Sequence, residues 1–550
     1  MNEYRPFRQS DAVRIGHIAQ RKANGSPIPR ITISLAIMVA ILTLPSNYNE
    51  FSELRFPLEV VGIALLASAF RGIGFSLLRW AVTLLLAAML FLKLADIGTG
   101  TAFQRPFNPY LDLKIFTDGW NLLSGALGIT EAVAIICMGL LAWLVVATLL
   151  HWSLGGFRRL SFGGRRKSVL VSGTVLLIGL AALVVQNPDR RNLGVEAHAA
   201  SYFVNRVGMV KDSIADLARF EDELKQDPRP AGPYFSALAG TDVVLIFIES
   251  YGRSAIEDPR YAARLNSRLT SVEKEIEAAG LQARSGWLTS PTVGGISWLA
   301  HGTLLSGLWV NSQGRYDRMI TSERPSLNNL FRSSGWRTTA VMPAITLDWP
   351  EAGYFGYDSI HAAAGLGYRG KPFNWVTMPD QFTLEAFERL ERQARDKPGH
   401  KPVMAEMALI SSHAPWTPIP SLIPWDKVGD GAVFNAQAES GDPPSVVWAD
   451  PNRVRAQYLT SIDYTLETLG SYMARYGKNT LFILLGDHQP ASIVAGEGAS
   501  RDVPVHIVTG NPELLKRLEG WNWQKGMIPQ PSTAVYRMDE FRRKLVESFD

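Results

Sequence analysis

Cysteine is almost absent from this chain of 550 residues: Cys137 is the only one, and it lies in an apolar run. A single cysteine excludes a disulfide framework and a cysteine-based metal site within one chain. The chain also lacks an excess of either charge, because 55 lysines and arginines accompany 51 aspartates and glutamates, a net charge of +4. That balance gives no indication of a nucleic-acid partner. The compartment stays open, since large secreted domains also fold without disulfides.

Long apolar runs are abundant, and they are crowded into the first third of the chain. Five stretches stand out: Ile31–Leu44, Pro57–Phe70, Phe75–Ala95, Glu131–Leu150 and Ser168–Gln186. A helix that crosses a bilayer needs about 20 mostly apolar residues, a length that the last three reach and the first two do not. We predict a five-helix transmembrane domain over residues 31–186, after a cytoplasmic segment of residues 1–30. Alternatively, one or two stretches are core helices or a signal sequence, although the polar residues before the first stretch argue against a cleaved signal.

Basic residues mark alternate connections between these stretches. Arginines and lysines are concentrated before the first stretch, near Arg71, and within residues 158–167. Under the positive-inside rule, this pattern places the N-terminus in the cytoplasm and everything after Gln186 on the outer side. The connection of residues 96–130 is long and carries several aromatic residues, which favours an interfacial or re-entrant helix but also fits an ordinary covered loop.

The chain changes character after the last apolar stretch. Residues 187–240 are predicted to form a connecting helix, Ser201–Asp227, and a proline-rich linker. From residue 241 to residue 550, short apolar runs alternate with helical stretches; the predicted strands are Asp242–Ser250, Arg337–Met342, Glu406–His413, the run that ends at His488, and Val503–Val508. This alternation predicts an α/β domain with a mostly parallel sheet and helices on both faces.

Polar side chains that can bind a metal or take part in catalysis follow directly after the predicted strands. Glu249 ends the first strand, His413 ends the third, and Asp487 and His488 follow the apolar run "LFILLG". Because ligands of open α/β sheets bind at the carboxyl ends of the strands, we expect these four residues to converge. Carboxylates and imidazoles together are metal ligands. Each residue taken alone is equally typical of a turn or a helix cap.

A hydroxyl group lies in the stretch "SPTVGGISWLAHGTLLSG", where Thr292 precedes a glycine pair and a helical run begins near Ile296. A hydroxyl just before a helix N-terminus can approach a bound phosphate, helped by backbone N–H groups. The alternative is that Thr292 is only a turn or N-cap residue. His301 and His506 are interpreted as packed histidines rather than as members of the site.

Four motifs follow the apolar stretches in a fixed order: "FIESYG", "PTVGGISWLAHG", "ISSHAPW" and "LLGDHQP". As an ordered set they resemble the membrane sulfatase-like transferases of the alkaline phosphatase superfamily. That group includes lipoteichoic acid synthases, phosphoglycerol transferases and phosphoethanolamine transferases. The resemblance implies an alkaline-phosphatase-like sheet domain in which Glu249, Thr292, Asp487 and His488 bind a divalent metal, Zn²⁺ or Mn²⁺.

The resemblance also implies a reaction and a location. Thr292 would be the nucleophile that takes the head group of a membrane phospholipid and releases diacylglycerol, while His413 and Trp349 would contact the substrate. A glycan or lipid acceptor would then receive the head group, of phosphoglycerol or phosphoethanolamine type. The chain would be a multi-pass protein of the bacterial inner membrane with its catalytic domain in the periplasm.

The chain departs from these relatives in three places. No proline and arginine follow Ser290–Pro291 at the spacing that sulfatases use, which argues against sulfate-ester hydrolysis by their usual route. The disulfides of phosphoethanolamine transferases are absent. Beyond Trp349 the chain has Glu351 where lipoteichoic acid synthases have an arginine. A hydrolase of phosphodiesters or sulfate esters, and an inactive protein that binds lipid or glycan, therefore stay as alternatives.

Overall fold

The computed structural model describes residues 26–45, 56–185, 195–227, 232–393 and 399–550. Most of the predicted cytoplasmic segment and most of the proline-rich linker lie outside these ranges. The described chain divides into two compact units. The first consists of Met1–Gly98 and Ile129–Met209, and the second of Thr99–Gly128 and Val210–Asp550.

The first seven helices run from the apolar third into the connecting segment. They are α1 Ile28–Thr43, α2 Leu58–Ala69, α3 Gly72–Phe103, α4 Lys114–Leu127, α5 Ile129–Leu154, α6 Phe162–Val185 and α7 His198–Lys225. Two short strands of the first unit, β1 (Phe56–Pro57) and β2 (Val195–Glu196), pair in parallel. The helix predicted at Ser201–Asp227 is therefore confirmed as the greater part of α7.

Three helices of the described chain are long and apolar enough to cross a membrane. They span Gly72–Phe103, Ile129–Arg159 (α5 with the 3₁₀ turn that follows it) and Phe162–Val185, with mean hydropathies of 2.0, 2.7 and 2.5. The other two apolar helices, α1 and α2, have 16 and 12 residues and fall short of the usual spanning length. Three of the predicted spans are thus found as helices of spanning length, and a total of five stays a prediction.

The predicted connection 96–130 contains the helix α4, and its residues 99–128 belong to the second unit. The sequence-based limits had assigned them to the membrane domain. Long-range contacts account for the difference: Asn108 Nδ2 donates to Ser213 Oγ at 2.8 Å, and the Lys114 ammonium lies 5.5 Å from the ring centre of Trp298. Partners more than 100 residues away leave no local trace in the sequence.

The second unit is built on a nine-stranded sheet. Its strands are β3 Asp242–Ile248, β4 Gln282–Thr289, β5 Arg337–Met342, β6 Ser359–Ala362, β7 Val403–Leu409, β8 Thr480–Gly486, β9 Asp502–Thr509, β10 Gln524–Lys525 and β11 Val535–Arg537. The order is β10-β4-β9-β8-β3-β7-β5-β6, and β11 pairs with β4.

The sheet is mixed but mostly parallel, as the sequence predicted, since five of its eight strand pairings are parallel and three are antiparallel. The half formed by β8, β3, β7, β5 and β6 is parallel, but β9 runs antiparallel to both β8 and β4. Residues 487–501 between β8 and β9 contain only a single-turn helix. The chain therefore turns back beside β8 without the longer crossover that a parallel pairing requires.

Helices cover both faces of this sheet. They are α8 Ser254–Glu257, α9 Ala262–Ala278, α10 Ser297–Ser306, α11 Gln313–Ile320, α12 Leu327–Ser333, α13 Ala352–Phe355, α14 Ala363–Leu366, α15 Asp380–Phe387, α16 Asn435–Ala438, α17 Pro444–Val447, α18 Pro451–Tyr476, α19 Ser492–Ala495, α20 Pro512–Lys516 and α21 Phe541–Phe549. One core packs α9, α15 and α18 against the sheet, and the other packs α10, α11, α12 and α21.

The central strand β3 contributes to both cores, and this explains its unbroken apolar sequence. Val244 and Ile246 point into the core beneath α9 and α18, while Leu245 and Phe247 point into the core beneath α10. A strand buried on both faces has no polar position until it ends. The first polar side chain after it is Glu249.

Candidate metal centre

Two neighbouring parallel strands deliver the central acidic residues. Ile248 at the end of β3 lies opposite Gly486 at the end of β8, so Glu249 and Asp487 emerge side by side. Gly486 is required here, because a Cβ at this position would lie 1.8 Å from the carbonyl oxygen of Tyr251. The sheet therefore fixes both carboxylates at its carboxyl edge, as the sequence predicted.

Glu249, Asp487 and His488 form a buried group that we call the ligand cluster. Their ligand atoms lie within 4.8 Å of one another. His488 Nε2 is 3.3 Å from Glu249 Oε1 and 3.8 Å from Asp487 Oδ2. The predicted convergence of these three residues is therefore present in the structure.

Hydrogen bonds orient the members of the ligand cluster. The backbone N–H groups of Ser250 and His488 donate to Asp487 Oδ1 at 2.8 and 2.6 Å. His488 Nδ1 donates to the carbonyl of Gln489 at 2.8 Å, so the lone pair of the neutral ring is on Nε2, facing the carboxylates. The arrangement leaves one imidazole nitrogen and the remaining carboxylate oxygens directed at a common point.

Electrostatics in the ligand cluster favour a cation. Burial and then the charge of Glu249 raise the pKa of Asp487 to about 8. Burial alone would lower the pKa of His488, but the charges of Asp487 and Glu249 raise this pKa to about 9. Burial would likewise raise the pKa of Glu249, yet the nearby charges of His488 and His413 hold it below its usual range. Two buried carboxylates and one imidazole at this spacing fit a divalent ion such as Zn²⁺ or Mn²⁺.

Thr292, the predicted nucleophile, is buried beside the ligand cluster but turned away from it. Its hydroxyl donates to the carbonyl of Gly295 at 2.7 Å, and no member of the cluster accepts a hydrogen bond from it among the described residues. The following backbone pairs with the chain beyond His488, since Gly294 N–H donates to the Gln489 carbonyl at 2.8 Å. The role of Thr292 as the reactive hydroxyl stays a prediction.

Ser297 occupies the position that the sequence had assigned to Thr292. Its Oγ lies 3.0 Å from Glu249 Oε2 and 3.4 Å from His488 Nε2. Ser297 is also the first residue of α10, whose N-terminal N–H groups favour an anion. The chain reaches this position through Gly294, Gly295 and Ile296, all with positive φ. The signal in the sequence was a serine at the first helical position.

His413 and Trp349 have different surroundings. His413 Nδ1 donates to the Ala414 carbonyl at 2.5 Å, and its ring stacks on Trp375 at 4.0 Å. The preceding residue contacts the ligand cluster, since Ser412 Oγ donates to the backbone carbonyl of Glu249 at 2.6 Å. Trp349 instead packs in an aromatic group with Phe355 and Tyr357, at ring-centre distances of 6.1 and 6.0 Å. Substrate contact by Trp349 stays a prediction.

The two remaining histidines of interest also differ. His506 is buried between Tyr251 and Ser285: the phenol donates to Nε2 at 3.2 Å, and Nδ1 donates to the serine Oγ at 2.8 Å. It is the satisfied core histidine that the sequence predicted. His301 lies one turn after Ser297 on α10, and its Nδ1 is 2.9 Å from a carboxylate oxygen of Glu406.

Comparison with known families identifies the second unit. The model of the sulfatase family matches residues 241–529, more than half of the chain. The chain belongs to the sulfatase family. Sulfatase-family enzymes use a divalent metal, in agreement with the ligand cluster. A comparison with curated protein sequences finds no match.

Solved structures similar to this sulfatase-family chain include transferases. One is the lipoteichoic acid synthase LtaP from Listeria monocytogenes, with 14% identity, 53% of this chain and 71% of the other covered, and a TM-score of 0.35. A second is the periplasmic domain of the phosphoethanolamine transferase EptC from Campylobacter jejuni, with 9% identity, 56% and 92% covered, and a TM-score of 0.37. A third is the phosphoglycerol transferase GacH from Streptococcus pyogenes, with 12% identity, 53% and 72% covered, and a TM-score of 0.32.

Proposed function

We propose that this sulfatase-family protein transfers a phospholipid head group, of phosphoglycerol or phosphoethanolamine type, to a glycan or lipid acceptor outside the cytoplasm. The observation that carries the proposal is the position of Ser297: its hydroxyl touches the ligand cluster at the N-terminus of α10. A chain with apolar helices of spanning length is suited to a lipid donor. In this proposal Ser297 replaces Thr292 as the nucleophile.

The ligand cluster would hold a Zn²⁺ or Mn²⁺ ion through Glu249, Asp487 and His488. When bound, such a metal lowers the pKa of a nearby hydroxyl and draws charge from a phosphoryl oxygen. The N-terminal N–H groups of α10 stabilise negative charge on the phosphoryl oxygens. His413, with its ring fixed against Trp375, is positioned to donate a hydrogen bond to the same oxygens.

The proposed reaction has two displacements. First, the Ser297 Oγ–P bond forms, the P–O bond to diacylglycerol breaks, and diacylglycerol leaves with a proton. Second, the hydroxyl of the acceptor attacks the phosphoserine, and Ser297 regains its proton. If water attacks instead, the protein is a hydrolase of phosphodiesters, which is the second candidate function.

In the same proposal the protein resides in the bacterial inner membrane with a cytoplasmic N-terminus. The catalytic unit lies in the periplasm, where it meets a phospholipid of the outer leaflet and its acceptor. The near balance of charge agrees with a partner set without nucleic acid.

The test uses the full chain in vesicles that contain phosphatidylglycerol or phosphatidylethanolamine with a labelled head group. We expect release of diacylglycerol and label on the peptide that carries Ser297. Ser297→Ala abolishes both, and Thr292→Val, the matched loss of the other hydroxyl, retains labelling. Label on Thr292, or labelling by Ser297→Ala at the wild-type rate, contradicts the assignment. Free glycerol phosphate or phosphoethanolamine without any modified acceptor identifies a hydrolase.

A further inference from the structure

A second histidine lies on the helix that carries Ser297. His301 is four residues further along α10, so the two side chains share one face of the helix. The ring of His301 stacks on Phe247, with ring centres 3.7 Å apart and planes inclined by 19°. Phe247 comes two residues before Glu249 on the same face of the chain at the end of β3. The imidazole is therefore anchored on the strand that delivers Glu249, two residues before it.

The partner of this imidazole is a carboxylate inside the sheet. Glu406 is in β7 opposite Leu245 of β3, and its side chain is 1% exposed. An unpaired charge at such a position would cost several kcal/mol. Three side-chain groups donate to Glu406: His301 Nδ1 at 2.9 Å, Asn328 Nδ2 at 3.2 Å and Tyr357 Oη at 2.5 Å. These bonds satisfy the buried carboxyl group and give it a fixed orientation.

The hydrogen bond to Glu406 decides which nitrogen of His301 carries the proton. Glu406 accepts from its other two partners as well, so with Nδ1 as the donor the neutral ring keeps its lone pair on Nε2. Among the described residues, none forms a hydrogen bond with Nε2. About a tenth of the side chain, 12%, is exposed. His301 thus presents an unused proton acceptor.

The order of the contacts along the strands shows where this acceptor is located. Glu406 is level with Leu245, the His301 ring lies over Phe247, and Glu249 is the next residue of that face. Glu249 in turn contacts Ser297. Carboxylate, imidazole and hydroxyl therefore follow one another toward the carboxyl edge of the sheet.

We propose that His301 Nε2 is the base that accepts the proton of Ser297, and that Glu406 is a positioning residue that fixes the ring and its tautomer. This inference rests on the proposed function, in which Ser297 is the nucleophile. As the Ser297 Oγ–P bond forms, the hydroxyl proton passes to Nε2. The P–O bond to diacylglycerol breaks in line with the attack, on the far side of phosphorus from His301, and the departing oxygen takes a proton from water, leaving hydroxide. In the second displacement the acceptor hydroxyl gives its proton to hydroxide, and the imidazolium returns its proton to Ser297.

The first arm of the test measures the single-turnover rate at which Ser297 becomes labelled by phosphatidylglycerol or phosphatidylethanolamine vesicles. His301→Asn keeps an amide N–H in the place of Nδ1 and removes Nε2, and we expect the rate to fall about 10²–10⁴-fold. His361→Asn is the matched control, since His361 also pairs with a glutamate, Glu391, but on the edge strand β6. It leaves the rate unchanged. Thermal unfolding verifies that each variant folds, and His301→Gln replaces His301→Asn if that variant does not.

The second arm separates a base from a merely structural residue. In His301→Ala, imidazoles of increasing basicity restore labelling, and the restored rate rises with the basicity of the added imidazole. Glu406→Gln slows labelling and is not restored by imidazole. Labelling by His301→Asn at the wild-type rate, or restoration that is independent of basicity, overturns the proposal. If the wild-type protein does not label Ser297 with either lipid, the proposed function itself fails.

Discussion

At Ser297 the chain brings a hydroxyl, a helix N-terminus and a buried carboxylate within one hydrogen bond of each other. The backbone before it makes this possible, because Gly294 has φ +74° and Gly295 φ +149°. The neighbouring chain closes around this turn: a Cβ on Gly294 would lie 1.8 Å from the carbonyl oxygen of Ala102. The position of the Ser297 hydroxyl therefore depends on Gly294, which is not itself a member of the ligand cluster.

Gly294→Ala tests this dependence. We expect a loss of stability larger than the roughly 1–2 kcal/mol of a left-handed alanine, because a backbone oxygen must also move, and a loss of Ser297 labelling. Gly240→Ala is the matched control, since Gly240 has φ +75° and nothing within 4 Å of its Cβ position. Urea denaturation of both variants gives the comparison. An equal decrease in the free energy of unfolding of the two variants would show that the contact with Ala102 does not contribute to stability.

His506 provides a prediction about pH. Burial lowers the pKa of His506 to about 3, well below the value near 6.5 of an exposed histidine. The unfolded chain therefore binds this proton first, and stability that is complete above pH 6.5 decreases as the pH falls from there toward 3. At pH 4.5 we expect the protein to have lost about 2–3 kcal/mol of the stability that it has at neutral pH, a loss that His506→Gln does not show. Parallel urea midpoints of the two proteins between pH 7 and 4.5 would refute this.

The residues of the ligand cluster could be predicted because each follows an apolar strand, a pattern that local sequence records. Ser297 could not be chosen over Thr292 in the same way. The two hydroxyls lie on either side of a glycine pair, and only the backbone angles there decide which one reaches Glu249. The hydrogen bond between His301 and Glu406 could not be predicted for a related reason, since the two residues are more than 100 positions apart.

At the scale of elements, the strands with apolar runs were the most predictable ones. β3, β5, β8 and β9 were expected, and the structure confirms them with small shifts of their ends. The strand predicted at Glu406–His413 is Val403–Leu409, so it begins earlier than expected and ends before His413. β4 was missed because its sequence, "QARSGWLT", mixes charged, small and apolar residues. It lies near one edge of the sheet and pairs antiparallel with β9. Its buried side chains pack against α20 and the C-terminal segment.

The helix α18 allows a prediction for an element that supports this sheet. Asp450 caps it, with a carboxylate oxygen accepting from the Asn452 N–H at 2.9 Å. Asp450→Ala is expected to destabilise the second unit by about 1 kcal/mol, whereas Asp450→Asn, which can still accept this bond, costs less. Denaturant unfolding of the two variants provides the measurement. An equal cost for both would exclude capping as the cause.

At the scale of the whole molecule, the number of membrane spans is the main open prediction. Five spans place the connection between α1 and α2 outside, while three spans, α3, α5 and α6, place it in the cytoplasm. Both alternatives leave the connection between α5 and α6 in the cytoplasm. Omitting α1 and α2 removes two spans, and an even number does not change the side on which later connections lie. The charge pattern favours five, and so does the pairing of β1 with β2, because β2 follows the last span; the short α1 and α2 favour three.

Single cysteines in a Cys137→Ser background decide between these alternatives. With five spans we expect a membrane-impermeant thiol reagent to label Phe56→Cys in intact cells, as it labels Ser440→Cys in the catalytic unit. Ser161→Cys, between α5 and α6, is labelled only after the cells are opened. Labelling of Phe56→Cys only in opened cells would reduce the number of spans to three.

The membership of residues 99–128 in the second unit has a consequence for biosynthesis. This segment leaves the ribosome before α5 and α6, but its partners, among them Gly294 and Trp298, are made almost 200 residues later. The catalytic unit is discontinuous in the chain and cannot finish folding until its C-terminal part has been translated. A fragment expressed from residue 232 onward would lack Ala102 and Phe103, which enclose the turn before Ser297. A truncation that removes the apolar helices together with residues 99–128 therefore also removes side chains and backbone that pack against the loop before Ser297.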